Sequence, residues 1–244
     1  MSDAHYDRVH ELNRRYAGTD ARDLLAGVIE REFAGSIALV SSFGAESAIL
    51  LHLAAAVDPN IEVIFIDTGT LFGETRRYRD RLTDFLGLGN VRTIEPDPGL
   101  LAAADPRGML FRDQPNFCCY LRKVAPLQRA LEGREAWISG RKRFQSAGRA
   151  EVPLFEVADD RIKINPLAHW TPDMIDSYFA KHDLPPHPLV EDGFLSIGCM
   201  PCTDRVRPGE DARAGRWRSS AKDECGIHLD SSRARVPFQM GLSN

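Results

Sequence analysis

The 244-residue chain is 43% hydrophobic and 27% charged, with 31 Lys and Arg against 35 Asp and Glu and a formal net charge of −4. That is the composition expected of a soluble globular protein with a full core, built as one domain or one domain with an appendage. The acidic balance disfavours coating of long nucleic acid. The longest apolar stretch, Ala48 to Val57 with His52 inside it, falls far short of the ~20 residues of a membrane span. Met1-Ser-Asp-Ala-His-Tyr-Asp shows no basic region followed by an apolar one, so no secretory signal is expected and the expected compartment is the cytoplasm.

In chain order, short apolar runs alternate with helical patterns, which predicts an α/β fold with a mostly parallel sheet flanked by helices. Ile37-Ala-Leu-Val40 reads as a buried strand, Ser41-Ser-Phe-Gly-Ala-Glu-Ser47 as a loop, and Ala48 to about Ala56 as a helix stopped by Asp58-Pro59-Asn60. Ile61 to Ile66 is a second strand, ending at Asp67-Thr68-Gly69. The next helix sets Tyr78, Leu82 and Phe85 on one face, with Arg76, Arg77, Arg79 and Arg81 expected on its solvated side. Further strands are expected near Val91 to Ile94, Ala136 to Ser139 and Ile162 to Ile164. Thr171-Pro172 opens a helix to about Lys181. After Pro185-Pro186 the periodicity dissolves. The reading is a single domain, with a nucleotide-binding core over 1–189 and an irregular cap and mobile tail over 190–244; Leu229 to Asn244 has no assigned role.

Ligands of open parallel sheets sit beyond the strands' carboxyl ends. The Ser41–Ser47 loop lies there, its small residues and Gly44 permitting close backbone approach, and it lacks the lysine of the common P-loop. Asp67-Thr68-Gly69 occupies the equivalent end of the second strand. Arg141-Lys142-Arg143, with Gln145 and Arg149, follows the strand near Ala136, where guanidinium forks suit phosphate or sulfate oxygens. Further arginines, Arg213 and Arg216 among them, crowd the C-terminal cap.

The five cysteines are few and odd in number, which argues for metal or thiol chemistry over a disulfide scaffold. Cys118-Cys119 and Cys199-Met-Pro-Cys202 make a four-thiolate set. Neighbouring side chains diverge, so an adjacent pair strains a single ion, while a multi-iron cluster gives each thiolate its own iron. That favours [4Fe-4S] and leaves zinc open. Cys225 is left over, in Glu224-Cys-Gly-Ile-His228, where a polar, accessible setting near His228 favours thiolate; a bystander thiol is the alternative.

Taken together, Ser41-Ser-Phe-Gly-Ala-Glu-Ser47, Asp67-Thr-Gly69, Cys118-Cys-Tyr-Leu-Arg-Lys123, Gly140-Arg-Lys-Arg-Phe-Gln-Ser146, Cys199-Met-Pro-Cys202, Arg213-Ala-Gly-Arg216-Trp217 and Glu224-Cys-Gly-Ile-His228 resemble the assimilatory adenylylsulfate reductases. These are a branch of the thioredoxin-dependent (phospho)adenylylsulfate reductases. The resemblance implies a fold like that of the adenine-nucleotide alpha hydrolases, with Cys118, Cys119, Cys199 and Cys202 ligating one [4Fe-4S] cluster. It implies adenosine 5′-phosphosulfate as substrate, since the branch acting on the 3′-phosphorylated nucleotide typically lacks these four cysteines.

By the same resemblance Lys123 sits between cluster and sulfate, and Arg143, Arg213, Arg216 and His228 hold the phosphosulfate. Ser41, Ser42, Phe43, Gly44, Glu46, Ser47, Asp67, Thr68 and Gly69 contact the nucleotide, with Arg141, Lys142 and Gln145 beside them. Phe144 departs from the acidic residue that relatives often carry. Cys225 is then the nucleophile, assisted by His228 and Lys123, and thioredoxin or a glutaredoxin-like dithiol is the reductant; a homo-oligomer stays open. The rival readings are a reductase of the 3′-phosphorylated nucleotide and an ATP-dependent iron–sulfur RNA-thiolating transferase. The latter's Ser-Gly-Gly-x-Asp-Ser loop is replaced here by Ser-Phe-Gly-Ala-Glu-Ser. A non-catalytic redox sensor is the third.

Overall fold

The computed structural model describes residues 3–218, 220, 222 and 224–228. The apolar runs become strands β1 (Ile37–Ser41), β2 (Val63–Ile66), β3 (Val91–Ile94) and β4 (Ala136–Ile138). Side chains alternate across the pleat, and both faces of the inner strands are covered. Leu39, Val63, Phe65 and Ile138 enter the larger core, whereas Ala38, Ile64 and Trp137 enter a smaller core on the opposite face. Two further strands, β5 (Phe155–Ala158) and β6 (Arg161–Ile164), complete a six-stranded sheet in the order β3-β2-β1-β4-β6-β5.

All neighbours in this sheet are parallel except β5 and β6. Those two are joined through Asp159-Asp160, with Asp159 at φ 57°, the left-handed conformation that tight hairpin turns require. Periodicity gave no sign of β5, an edge strand only four residues long.

The larger core is roofed by α1 (Asp3–Arg15), α2 (Ala21–Gly27), α3 (Ser47–Ala55), α4 (Gly73–Leu86) and, later in the chain, α9 (Pro172–Lys181). Thr171 caps α9 by accepting the Met174 N–H, as its Thr-Pro start predicts. Tyr78 and Leu82 of α4 are buried, but Phe85 is 53% exposed. The helix stops at Gly87 (φ 62°), and Leu86 and Leu88 take the core contact instead. The α4 arginines also divide. Arg77 is exposed, but Arg76 grips Asp67 at 2.7 and 2.9 Å, and Arg79 lies over the Phe65 ring at 5.1 Å.

Between β3 and β4 run α5 (Pro98–Ala104), α6 (Leu110–Asp113), α7 (Pro115–Cys119), a π-helical turn over Tyr120–Val124, and α8 (Ala125–Ala130), which lies on the smaller core. The strand order reverses between β1 and β4, where a crevice opens at the carboxyl ends. Among the described residues no helix is long and apolar enough to cross a membrane. The tail expected beyond His228 lies outside the described residues.

Candidate active site

The crevice is a cavity of about 210 Å³ whose floor is the loops after β1 and β4. In the first loop Phe43 takes φ 46°, its N–H donating to Ser41 Oγ at 3.1 Å. Its ring turns inward to meet Phe65 edge-on at 5.4 Å. Phe43 is therefore a core side chain and is not part of the cavity wall, while Ser41, Ser42, Gly44, Glu46 and Ser47 are. Glu46 ties the two loops together by accepting from Lys142 Nζ and Gln145 Nε2, each at 2.8 Å.

The β4 loop supplies the charge, but much of it is already answered. Arg141 pairs with Glu156 and reaches Asn165 Oδ1 at 3.4 Å; burial lowers its pKa to about 10. Lys142 pairs with Glu46. Arg143 does not line the cavity: its Nε donates to the Val152 carbonyl at 2.8 Å, because the turn over Arg143–Gln145 aims it away. Arg149 stands on the wall in its place. At the end of β2, Thr68 faces the cavity. Asp67 and Gly69 do not: the Asp67 carboxylate accepts the Gly69 N–H at 3.0 Å and is held by Arg76, which keeps it below the usual carboxylate range.

The far wall is the cap, pinned by main-chain bonds. Met200 N–H donates to Thr70 O at 2.8 Å, Leu71 bridges Cys199, and Thr203 bridges Arg216. Gly215 is obligatory, because a Cβ there would collide with the Asp204 carbonyl. Gly198 lets the Arg216 guanidinium lie against the backbone, with Cζ 2.6 Å from where a Cβ would stand. Arg216 also covers the Trp217 ring at 4.3 Å. Lys123 and Arg216 line this cavity and a second pocket behind it, so they form the partition between the two.

The second pocket gathers Cys118, Cys119, Cys199 and Cys202 on its walls. Cys118 and Cys119 project from the end of α7; in the π-helical turn that follows, Arg122 donates to Thr68 O just past β2 (2.9 Å) and to Asp105 just past α5 (2.8 Å). Among the described residues no three Cys, His, Asp or Glu side chains form a set able to hold one metal ion. Burial pushes the Cys118 thiol up to about 11, against the pull of Arg122. Burial also raises Cys199, but the Lys123 ammonium and the Thr68 and Thr70 hydroxyls outweigh it and bring Cys199 below the ordinary thiol value. Lys123 itself is held above the usual lysine range: burial lowers it, and Cys199, Cys225 and Cys119 more than compensate.

Cys225 reaches this partition from the tail. The sequence predicts an accessible thiol, but Cys225 is only 8% exposed. The turn Gly226–His228 packs on the π-helical turn, Gly226 seated where a Cβ would stand 2.9 Å from a Val124 methyl. A hydrogen bond from Cys119 pulls the Cys225 pKa well below the thiol range; burial opposes it, and Lys123 and the Ile227 N–H add to it. His228 stacks on Trp137 with centroids 6.4 Å apart, and its buried Nδ1 has no hydrogen-bond partner among the described residues. Glu224 is bound by Arg149 at 2.6 and 2.9 Å and by Arg213 at 3.1 Å.

The structure thus gathers Cys225, His228, Lys123, Arg141, Lys142, Gln145, Arg213 and Arg216 around one cavity and leaves Phe43, Asp67, Gly69 and Arg143 outside its wall. Sequence reasoning missed Trp137 and Glu224, while Arg149 was named with the β4-loop cluster without being singled out as a site residue. Trp137 was hidden in a strand that reads as core.

Comparison with known proteins places this architecture. The phosphoadenosine phosphosulfate reductase domain matches residues 36–205. The adenosine 5′-phosphosulfate reductase of Chelativorans sp. (strain BNC1) is 49% identical over 90% of both chains. That of Mesorhizobium japonicum is 52% identical over 83% of this chain and 81% of its own. Among solved structures, phosphoadenylyl-sulfate reductase from Candida auris, in a phosphate complex, shares the fold with a TM-score of 0.69 at 22% identity, over 84% of this chain and 98% of its own. With sheet order, strand-end loops and a match over most of its length in agreement, the chain belongs to the phosphoadenosine phosphosulfate reductase domain family.

Proposed function

We infer that this protein reduces adenosine 5′-phosphosulfate to sulfite and AMP, with Cys225 as nucleophile and thioredoxin as electron donor. The observation that carries the reading is the position of Cys225 in the wall of a cavity that Lys123, Arg213 and Arg216 also line. Its thiolate attacks the sulfate sulfur, the bond from sulfur to the bridging oxygen breaks, and AMP leaves with that oxygen. Charge moving onto the oxygens meets Lys123 and Arg216, neither of which has a carboxylate partner among the described residues. The product is a Cys225 S-sulfonate. A thioredoxin thiolate then attacks the Cys225 sulfur and expels sulfite, and the second thioredoxin thiol resolves the mixed disulfide. Two electrons pass from dithiol to sulfur.

The names of the relatives support the unphosphorylated nucleotide as substrate. The residues also fit an iron–sulfur cluster. Four thiols wall one pocket, and a cationic Lys123 faces them, as thiolate donors require. Cys118, Cys119, Cys199 and Cys202 would hold it, and a [4Fe-4S] cluster bound there would supply structural tethering and negative charge behind Lys123. Enzyme incubated with adenosine 5′-phosphosulfate and no thioredoxin is expected to carry a sulfonate on Cys225 by peptide mass spectrometry; absence of the adduct overturns the reading. Competition between the two nucleotides tests the substrate, and preference for the 3′-phosphorylated one reverses that choice.

A further inference from the structure

We propose that Glu224 is a positioning residue, a latch that docks the nucleophile-bearing tail against Arg149 and Arg213; this rests on Cys225 being the nucleophile. Its carboxylate takes Arg149 in a fork, Nε at 2.6 Å and Nη2 at 2.9 Å, and Arg213 Nη2 at 3.1 Å. All three side chains are 14% exposed or less, so the pairing is shielded from salt and water. The carboxylate also accepts the Cys225 N–H at 2.8 Å. Where the arginines hold the carboxylate, they hold the nucleophile's own main chain.

The anchor is rigid, because Arg149 also donates to Gln145, whose amide is bound to Glu46 of the β1 loop. Gly226 on Val124, Ile227 on the smaller core and His228 on Trp137 are neutral packing, and the Cys225 sulfur itself faces Cys119 and Lys123. Glu224 supplies the charge pairing.

A carboxylate between two arginines resembles a sulfate in chemistry, so Glu224 could equally be a competitor for the substrate's place. The charge distribution favours the latch. Lys123 and Arg216 stay without carboxylate partners among the described residues, leaving cations for the substrate while Glu224 is docked.

The test compares wild type with Glu224→Gln, Arg149→Gln, the double variant and Glu224→Asp, each as cluster-loaded enzyme. Without nucleotide, iodoacetamide alkylation of Cys225, mapped by mass spectrometry, is expected to accelerate about tenfold or more in Glu224→Gln, which breaks both pairings, by a smaller factor in Arg149→Gln, which leaves Arg213 on the carboxylate, and in the double variant no further than in Glu224→Gln. At saturating adenosine 5′-phosphosulfate, single-turnover S-sulfonation is expected to slow by a similar factor, with no gain in AMP affinity. Glu224→Asp, which keeps the charge, is expected to recover part of both. Unchanged alkylation overturns the latch, and so does tighter AMP or substrate binding by Glu224→Gln, which would mark Glu224 as a competitor. A wild-type enzyme that forms no S-sulfonate would overturn the reductase reading, while the nucleotide-free alkylation comparison still decides the latch.

Discussion

A thiol with 8% exposure would ordinarily stay protonated, since burial disfavours charge. Cys225 is driven the other way by a hydrogen bond from the unligated Cys119 thiol, by the Lys123 ammonium and by a backbone N–H; with Cys119 serving as a cluster ligand, Lys123 and the N–H are the partners that remain. Replacing this sulfur should remove the chemistry and spare the pocket: Cys225→Ser is expected to abolish sulfite formation while equilibrium binding of AMP is retained. Lys123 faces both the cysteine pocket and the cavity, and Lys123→Met is expected to lower the single-turnover rate of S-sulfonation by about 10²–10³-fold, the usual effect of removing a preorganised charge donor. A rate within twofold of wild type would remove Lys123 from the mechanism. Arg143 offers the contrast. Its Nε is spent on a backbone carbonyl, so Arg143→Ala is expected to act on stability rather than on the reaction.

At the scale of elements, the cap matters because it carries Arg216 across the crevice. A methyl at Gly198 would stand 2.6 Å from the Arg216 Cζ. Gly198→Ala is therefore expected to displace that guanidinium and weaken nucleotide binding, read by calorimetry, with the melting temperature little changed. Elsewhere His187 links α4 to the turn Pro188–Val190: Nδ1 accepts the Leu189 N–H at 3.2 Å and Nε2 faces Thr75 Oγ1 at 3.1 Å. The ring is held neutral, with its proton on Nε2. Burial lowers its pKa from 6.5 to about 4, so the unfolded chain takes up the proton first. This site costs no stability above about pH 6.5, a growing amount as pH falls toward 4, and a constant amount below, on the order of 3 kcal/mol in all. Urea unfolding across that window should show the loss, and His187→Gln should remove that part of the pH dependence.

For the whole molecule, the cysteine pocket ties α7 to the cap, since its four thiols come from segments far apart in the chain. Anaerobically purified protein is expected to contain about four irons and four acid-labile sulfides per chain, and Cys202→Ser to lose both and melt at lower temperature. Zinc in place of iron would overturn the cofactor reading. Taken residue by residue, the chain itself determined the parallel strands, the polar loops after β1 and β2, and the two cysteine pairs. Hydrophobic period and ligand chemistry are local properties, legible wherever a run is long enough; four-residue β5 was not. Tertiary structure alone decided that Arg149 and not Arg143 faces the cavity, that Phe43 and Asp67 serve the core and Arg76, and that Glu224 answers two arginines while Cys225 lies closed. The reason is directional: where a loop residue points depends on how its segment folds back onto the sheet and what charge meets it there, and spacing along the chain encodes neither.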